Sequence, residues 1–82
     1  MKDQKIGEVT HFYTDINVAI VKLEGKLSVG DKVIFEGATT DFEQEIDDME
    51  FDHEKLQEAD AGQEVGIKVD ERVREGDEVF KA

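Results

Sequence analysis

Asp41-Phe42-Glu43-Gln44-Glu45-Ile46-Asp47-Asp48-Met49-Glu50-Phe51-Asp52-His53-Glu54 is the stretch whose reading decides the fold. Its first half alternates: Phe42, Gln44 and Ile46 share one face, and Asp41, Glu43, Glu45 and Asp47 share the other. After Asp47-Asp48 the parity flips. Met49, Phe51 and His53 then alternate with Glu50, Asp52 and Glu54. The apolar residues do not hold a 3.6-residue period, so a helix is excluded. In a regular strand a one-residue slip moves every later side chain to the wrong face. One extra residue at Asp47-Asp48, a β-bulge, restores the inward face for Met49, Phe51 and His53. Bulges of this kind turn a long strand around the corner of a small barrel.

The flanking segments carry further strand signals. Residues 6–13, rich in β-branched and aromatic side chains, run to a turn at Thr14-Asp15. Residues 16–23 form the second half of a hairpin. Within it Val18 to Val21 is apolar on both faces, so both faces are covered or one carries an apolar strip. Gly30-Asp31 precedes Lys32-Val33-Ile34-Phe35-Glu36, and Gly76-Asp77 precedes Glu78-Val79-Phe80. Both supply a glycine able to take positive φ and an acidic acceptor at a turn. Residues 54–60 read as one helical turn or an irregular crossover. Glu64 to Val69 alternates cleanly, with Val65, Ile67 and Val69 inward, and residues 77–81 close the chain. Six short strands with turns about every ten residues predict an all-β fold, a single six-stranded closed Greek-key barrel. One domain over residues 1–82, with a core over about 5–81, is expected at this length.

The chain has 82 residues, no Cys and no Pro, and a formal charge of -12. Residues 41–60 carry ten acidic side chains against Lys55 alone, so three quarters of the excess charge sits in one quarter of the chain. Nonspecific binding to nucleic acid or to an anionic membrane requires the opposite sign. Without cysteine there is neither a disulfide framework nor a thiolate zinc site. The start, Met1-Lys2-Asp3-Gln4-Lys5, leads into no apolar leader, and no apolar run approaches membrane-spanning length. A soluble, cytoplasmic domain is expected.

Asp47, Asp48, Glu50 and Asp52 are dense oxygen donors, but side chains alternating along a strand diverge, whereas calcium needs six to eight oxygens converging. They read as an acidic surface, and no metal or cofactor is expected. Ser28 is one possible nucleophile, and His11 and His53 are the available bases. His53 shares the parity of Met49 and Phe51 and reads as a partly buried structural histidine. No catalytic residue is assigned. Arg72 and Arg74 are the arginines of the chain and lie in the charged loop Asp70 to Gly76. Val18, Ile20 and Ile34, if outward, join into one apolar patch suited to a partner.

Gly25-Lys26-Leu27-Ser28-Val29-Gly30-Asp31-Lys32-Val33 resembles a turn of the β-barrel second domain of elongation factor Tu and related translation GTPases. Ala61-Gly62-Gln63-Glu64-Val65-Gly66-Ile67 and Glu75-Gly76-Asp77-Glu78-Val79 resemble later segments of that domain, in the same order. Gly37-Ala38-Thr39-Thr40-Asp41-Phe42 and Asp52-His53 resemble the C-terminal barrel of the collagenase-like peptidase family, whose larger members act in modification of RNA or quinones. Stand-alone chains of this kind are called translation elongation factor-like proteins. The phosphate loop that GTP hydrolysis needs is absent, as is the peptidase catalytic domain. The resemblance implies a non-catalytic accessory module for a protein partner with a basic surface, in translation or RNA modification. Its alternatives are an accessory subunit of a collagenase-like peptidase-family enzyme, and an RNA-end binding module using Arg72 and Arg74.

Overall fold

Ten strands follow one another among the described residues: β1 (Gln4–Tyr13), β2 (Val18–Leu23), β3 (Leu27–Ser28), β4 (Lys32–Glu36), β5 (Asp41–Glu45), β6 (Met49–Phe51), β7 (Glu54–Lys55), β8 (Glu58–Ala59), β9 (Glu64–Lys68) and β10 (Glu78–Lys81). They come from a computed structural model that describes residues 4–82; Met1, Lys2 and Asp3, part of the polar start, lie outside the described residues. No helix among the described residues is long and apolar enough to cross a membrane. Where residues 54–60 left a helical turn or a crossover open, the chain instead forms the short strands β7 and β8.

The fold is all-β, but it is not the six-stranded closed Greek-key barrel expected from the sequence. Eight strands form one open antiparallel sheet in the order β5-β4-β10-β1-β2-β9-β6-β7, and β3 pairs with β8 separately. The difference arises at Ile46, Asp47 and Asp48. The sequence pattern there predicts one bulged strand. Instead the backbone leaves the ladder: the Ile46 N–H donates to the Asp31 carbonyl (2.8 Å) and the Ile46 carbonyl accepts from the Gly30 N–H (2.7 Å). β5 therefore stays on β4 at one edge, while β6 pairs with β9 toward the other. Where a closing ladder would run, a side chain reaches across. The Gln44 Nε2 donates to the Lys68 carbonyl (3.0 Å), and its Oε1 accepts from the Asp70 N–H (2.8 Å).

The register irregularities lie in β1 rather than at Asp47-Asp48. One falls between Lys5 and Gly7 against β10, the other between Val9 and His11 against β2. Together they let a ten-residue strand bend and serve two neighbours. The inward alternation holds at Ile46 and Met49, which are buried. It fails beyond them: Phe51 is 47% exposed and His53 is exposed. β6 ends at Phe51, and Asp52-His53 form a two-residue turn into β7, with Phe51 paired to Glu54. Both turn residues have positive φ, 52° and 65°. That is the backbone of a type I′ turn, which favours Asn-Gly because side chains larger than glycine crowd the left-handed region. Replacing Asp52-His53 by Asn-Gly is expected to stabilise the chain by about 1 kcal/mol and to raise Tm by roughly 4–8 °C. Thermal melting followed by circular dichroism checks this; a lower Tm would contradict the turn assignment.

The Gly-Asp turns share one geometry. Gly30 and Gly76 have φ of 99° and 92°. Asp31 Oδ2 accepts from the Ser28 N–H at 3.0 Å, and Asp77 Oδ2 from the Arg74 N–H at 2.8 Å. A third copy occurs at Gly62, φ 92°, where Gln63 Oε1 accepts from the Asp60 N–H at 2.7 Å. The third was hidden because glutamine stands where the other two have aspartate. Inward side chains from both sheets make one core that includes Phe35, and Phe42 packs against it with the two ring centroids 5.0 Å apart.

Candidate functional site

The outer face of the sheet carries a groove of about 410 Å³. Strand register explains its shape. Gly66 on β9 is paired with Ile20 on β2 and with Glu50 on β6. A row across the sheet therefore runs from Ile20 through Gly66 to Glu50. The middle member has no side chain, so the row is notched. Two strand spacings of about 4.8 Å separate its ends. A Cβ on Gly66 would sit 3.2 Å from Val18 Cγ1 and 3.6 Å from Ile20 Cδ1, so the wall closes tightly over the glycine.

One wall is apolar. Tyr13 is paired with Val18 across β1 and β2, and Ile16 projects from the intervening turn with 58% of its surface exposed. The other wall is acidic: Asp48, Glu50 and Asp52. Lys68 and His53 complete the lining. Counting His53 as neutral, the lining carries three carboxylates against one ammonium. Lys55 reaches over from β7, with its Nζ 2.7 Å from Asp48 Oδ1 and 3.6 Å from Glu50 Oε1. The hydrogen bond to Asp48 holds the Lys55 pKa above the ordinary lysine value, with desolvation acting in the opposite direction. Among the described residues Asp52 has no ion-pair partner.

The residues singled out from the sequence are divided by the fold. Val18 and Ile20 face the groove together, half-buried. Ile34 does not join them. It lies on β4, paired with Phe80 of β10, and β10 and β1 stand between it and β2. Of the acidic segment, Asp48, Glu50 and Asp52 line the groove and Asp47 does not. Arg72 and Arg74 are exposed on either side of buried Val73, away from the groove, and form no ion pair among the described residues. Among the described residues no group of three or more His, Asp or Glu side chains is arranged to hold a metal ion. Ser28 N–H is bound to Asp31, whereas His11 Nδ1 is 3.1 Å from Glu75 Oε2. The sequence reading missed Tyr13, Ile16, Gly66 and Lys68. Gly66 was the available signal, since a glycine inside an alternating strand marks a close approach or an opening.

An all-β domain with one mixed apolar and acidic groove is the class that this architecture defines. Over 77 residues, 93% of its length, the chain is 36% identical to an uncharacterized protease of Methanocaldococcus jannaschii. It is 27% identical over 78 residues to a collagenase of Porphyromonas gingivalis. The chain spans 19% and 22% of the lengths of these two relatives. Its fold matches crystal structures of the C-terminal domain of a Geobacillus thermoleovorans protein assigned to the U32 peptidases. The TM-scores are 0.92 and 0.90 at 24% identity, over 96% of this chain. No family model matches. These relatives support the collagenase-like half of the resemblance; its translation-factor half finds no support among them.

Proposed function

We propose that the chain is a non-catalytic accessory domain that acts as a separate subunit beside a collagenase-like peptidase chain. One observation carries the reading. The likeness extends over 93% of this chain but only about a fifth of each protease relative, so the same folding unit recurs as a small part of larger chains. The groove supports it, because an exposed apolar strip beside opposite-sign charge is what a docking face needs. The exposed arginines Arg72 and Arg74 speak for an RNA-end role, but the net charge of -12 opposes it. Affinity capture of the tagged chain from its native extract at low salt, with mass spectrometry of retained proteins, tests the proposal. A retained peptidase-like chain, released at high salt, is the expected result. Ribosomal or tRNA-modifying proteins in its place, or nothing above background, would overturn it.

A further inference from the structure

We infer that the groove over Gly66 binds an arginine side chain from an extended segment of a partner protein. The inference rests on reading the chain as a binding module, and it names the chemistry of that site. The two walls demand opposite properties within one short span. A ligand must lay an apolar surface on Val18 and Ile20 and place a positive charge at Glu50, two strand spacings away. A long basic side chain does both, since its methylene stem packs on apolar surface while its head stays polar.

The chain already contains a picture of the charged half of this contact. Lys55 Nζ sits between Asp48 and Glu50, so these two carboxylates accept a cation between them. Asp52 adds a third carboxylate at the same wall. Arginine suits the site better than lysine. Its planar fork engages two carboxylate oxygens at once, and it stacks on an aromatic ring. Tyr13, 45% exposed, supplies such a ring at the apolar wall. Lys68 is the opposing feature, but the three carboxylates outnumber it. The segment is extended because the groove follows the strand direction along Val18 and Ile20 on one side and Gly66 and Lys68 on the other.

Lys55 makes the test signed. It competes for Asp48 and Glu50, so its removal tightens binding, whereas removal of Glu50 weakens it. The probe is the capped peptide acetyl-Leu-Arg-Leu-amide, titrated into the 82-residue chain and followed by nitrogen–proton correlation spectra. Its control carries citrulline, the neutral isostere of arginine. Saturable shifts are expected at the amides of Ile20, Glu50 and Gly66. The citrulline peptide should bind about ten-fold more weakly. Lys55→Met should tighten binding about three-fold and Glu50→Gln should weaken it by a similar factor, as expected for half-exposed ion pairs. Ile16→Ser, at an exposed position, should also weaken it.

Three results would overturn the inference. One is no saturable shift in the groove. The second is a shift spread over residues 41–60 that is indifferent to Glu50→Gln, which marks diffuse charge attraction. The third is a groove that shifts on dilution of the chain alone, which marks a second copy as occupant. The titration needs no peptidase-like chain. Its failure is therefore separate from a failure of the capture experiment.

Discussion

Phe35→Ala is expected to destabilise the chain by about 3–5 kcal/mol, the range for removing a buried aromatic side chain. Phe35 is fully buried on β4. Its backbone is paired with Val79 on one side and Phe42 on the other, and its ring stacks on Phe42 at an interplanar angle of 19°. Alanine would open a cavity at a point where β4, β5 and β10 all meet. Domains of this size have total stabilities of about 5–15 kcal/mol, so the variant should melt tens of degrees lower or fail to fold at room temperature. Phe35→Leu keeps most of the volume and should cost under about 1.5 kcal/mol. Phe42→Ala should cost less than Phe35→Ala, because Phe42 is only partly buried. Urea unfolding of the three variants gives the order. If Phe42→Ala were the more damaging, the greater burial of Phe35 would not set the order of the losses.

Gln44→Leu carries the second largest effect. Gln44 is 5% exposed, and its amide spans the gap between β5 and the end of β9. Leucine fills a similar volume but takes the acceptor from the Asp70 N–H and a donor from the Lys68 carbonyl. An unsatisfied buried polar group costs about 1–3 kcal/mol, and a combined loss of about 2–3 kcal/mol is expected. The location of the effect matters as much as its size. Amide hydrogen exchange should quicken at Asp70 and at the free edge of β5, while the central strands β1 and β2 change little. Uniform acceleration across the sheet would mean that the bridge is merely one contact among many. No change at all would mean that water replaces the amide without loss.

These two side chains differ in how far the sequence exposes their roles. Phe35 sits in the apolar run Val33-Ile34-Phe35, which marks a strand and puts Phe35 and Val33 on one face and Ile34 on the other. Gln44 shares the inward face of Phe42 and Ile46, but its pattern says nothing of what its amide meets 24 residues further on. The groove divides the same way. Val18 and Ile20 were legible because four consecutive apolar residues cannot all point into one core. Tyr13 and Ile16 were not, because a single apolar residue near a turn is ordinary on a surface. The contrary case is His53, whose parity placed it inward; the tight turn at Asp52-His53 turned it out to solvent.

The all-β class, the positions of the longer strands, the Gly-Asp turns and the concentration of acid in residues 41–60 follow from local pattern. Each depends on side-chain alternation or on the backbone freedom of one glycine, and these act over a few residues. Strand order, the open edge and the company that Glu50 keeps do not follow from it. Alternation is the same in an open sheet and in a closed barrel. The choice is made by hydrogen bonds between segments far apart in the chain: Ile46 with Gly30 and Asp31, Gln44 with Lys68 and Asp70, Gly66 with Ile20 and Glu50. Only when those pairings form does a glycine in one strand become the floor between an apolar wall and an acidic one.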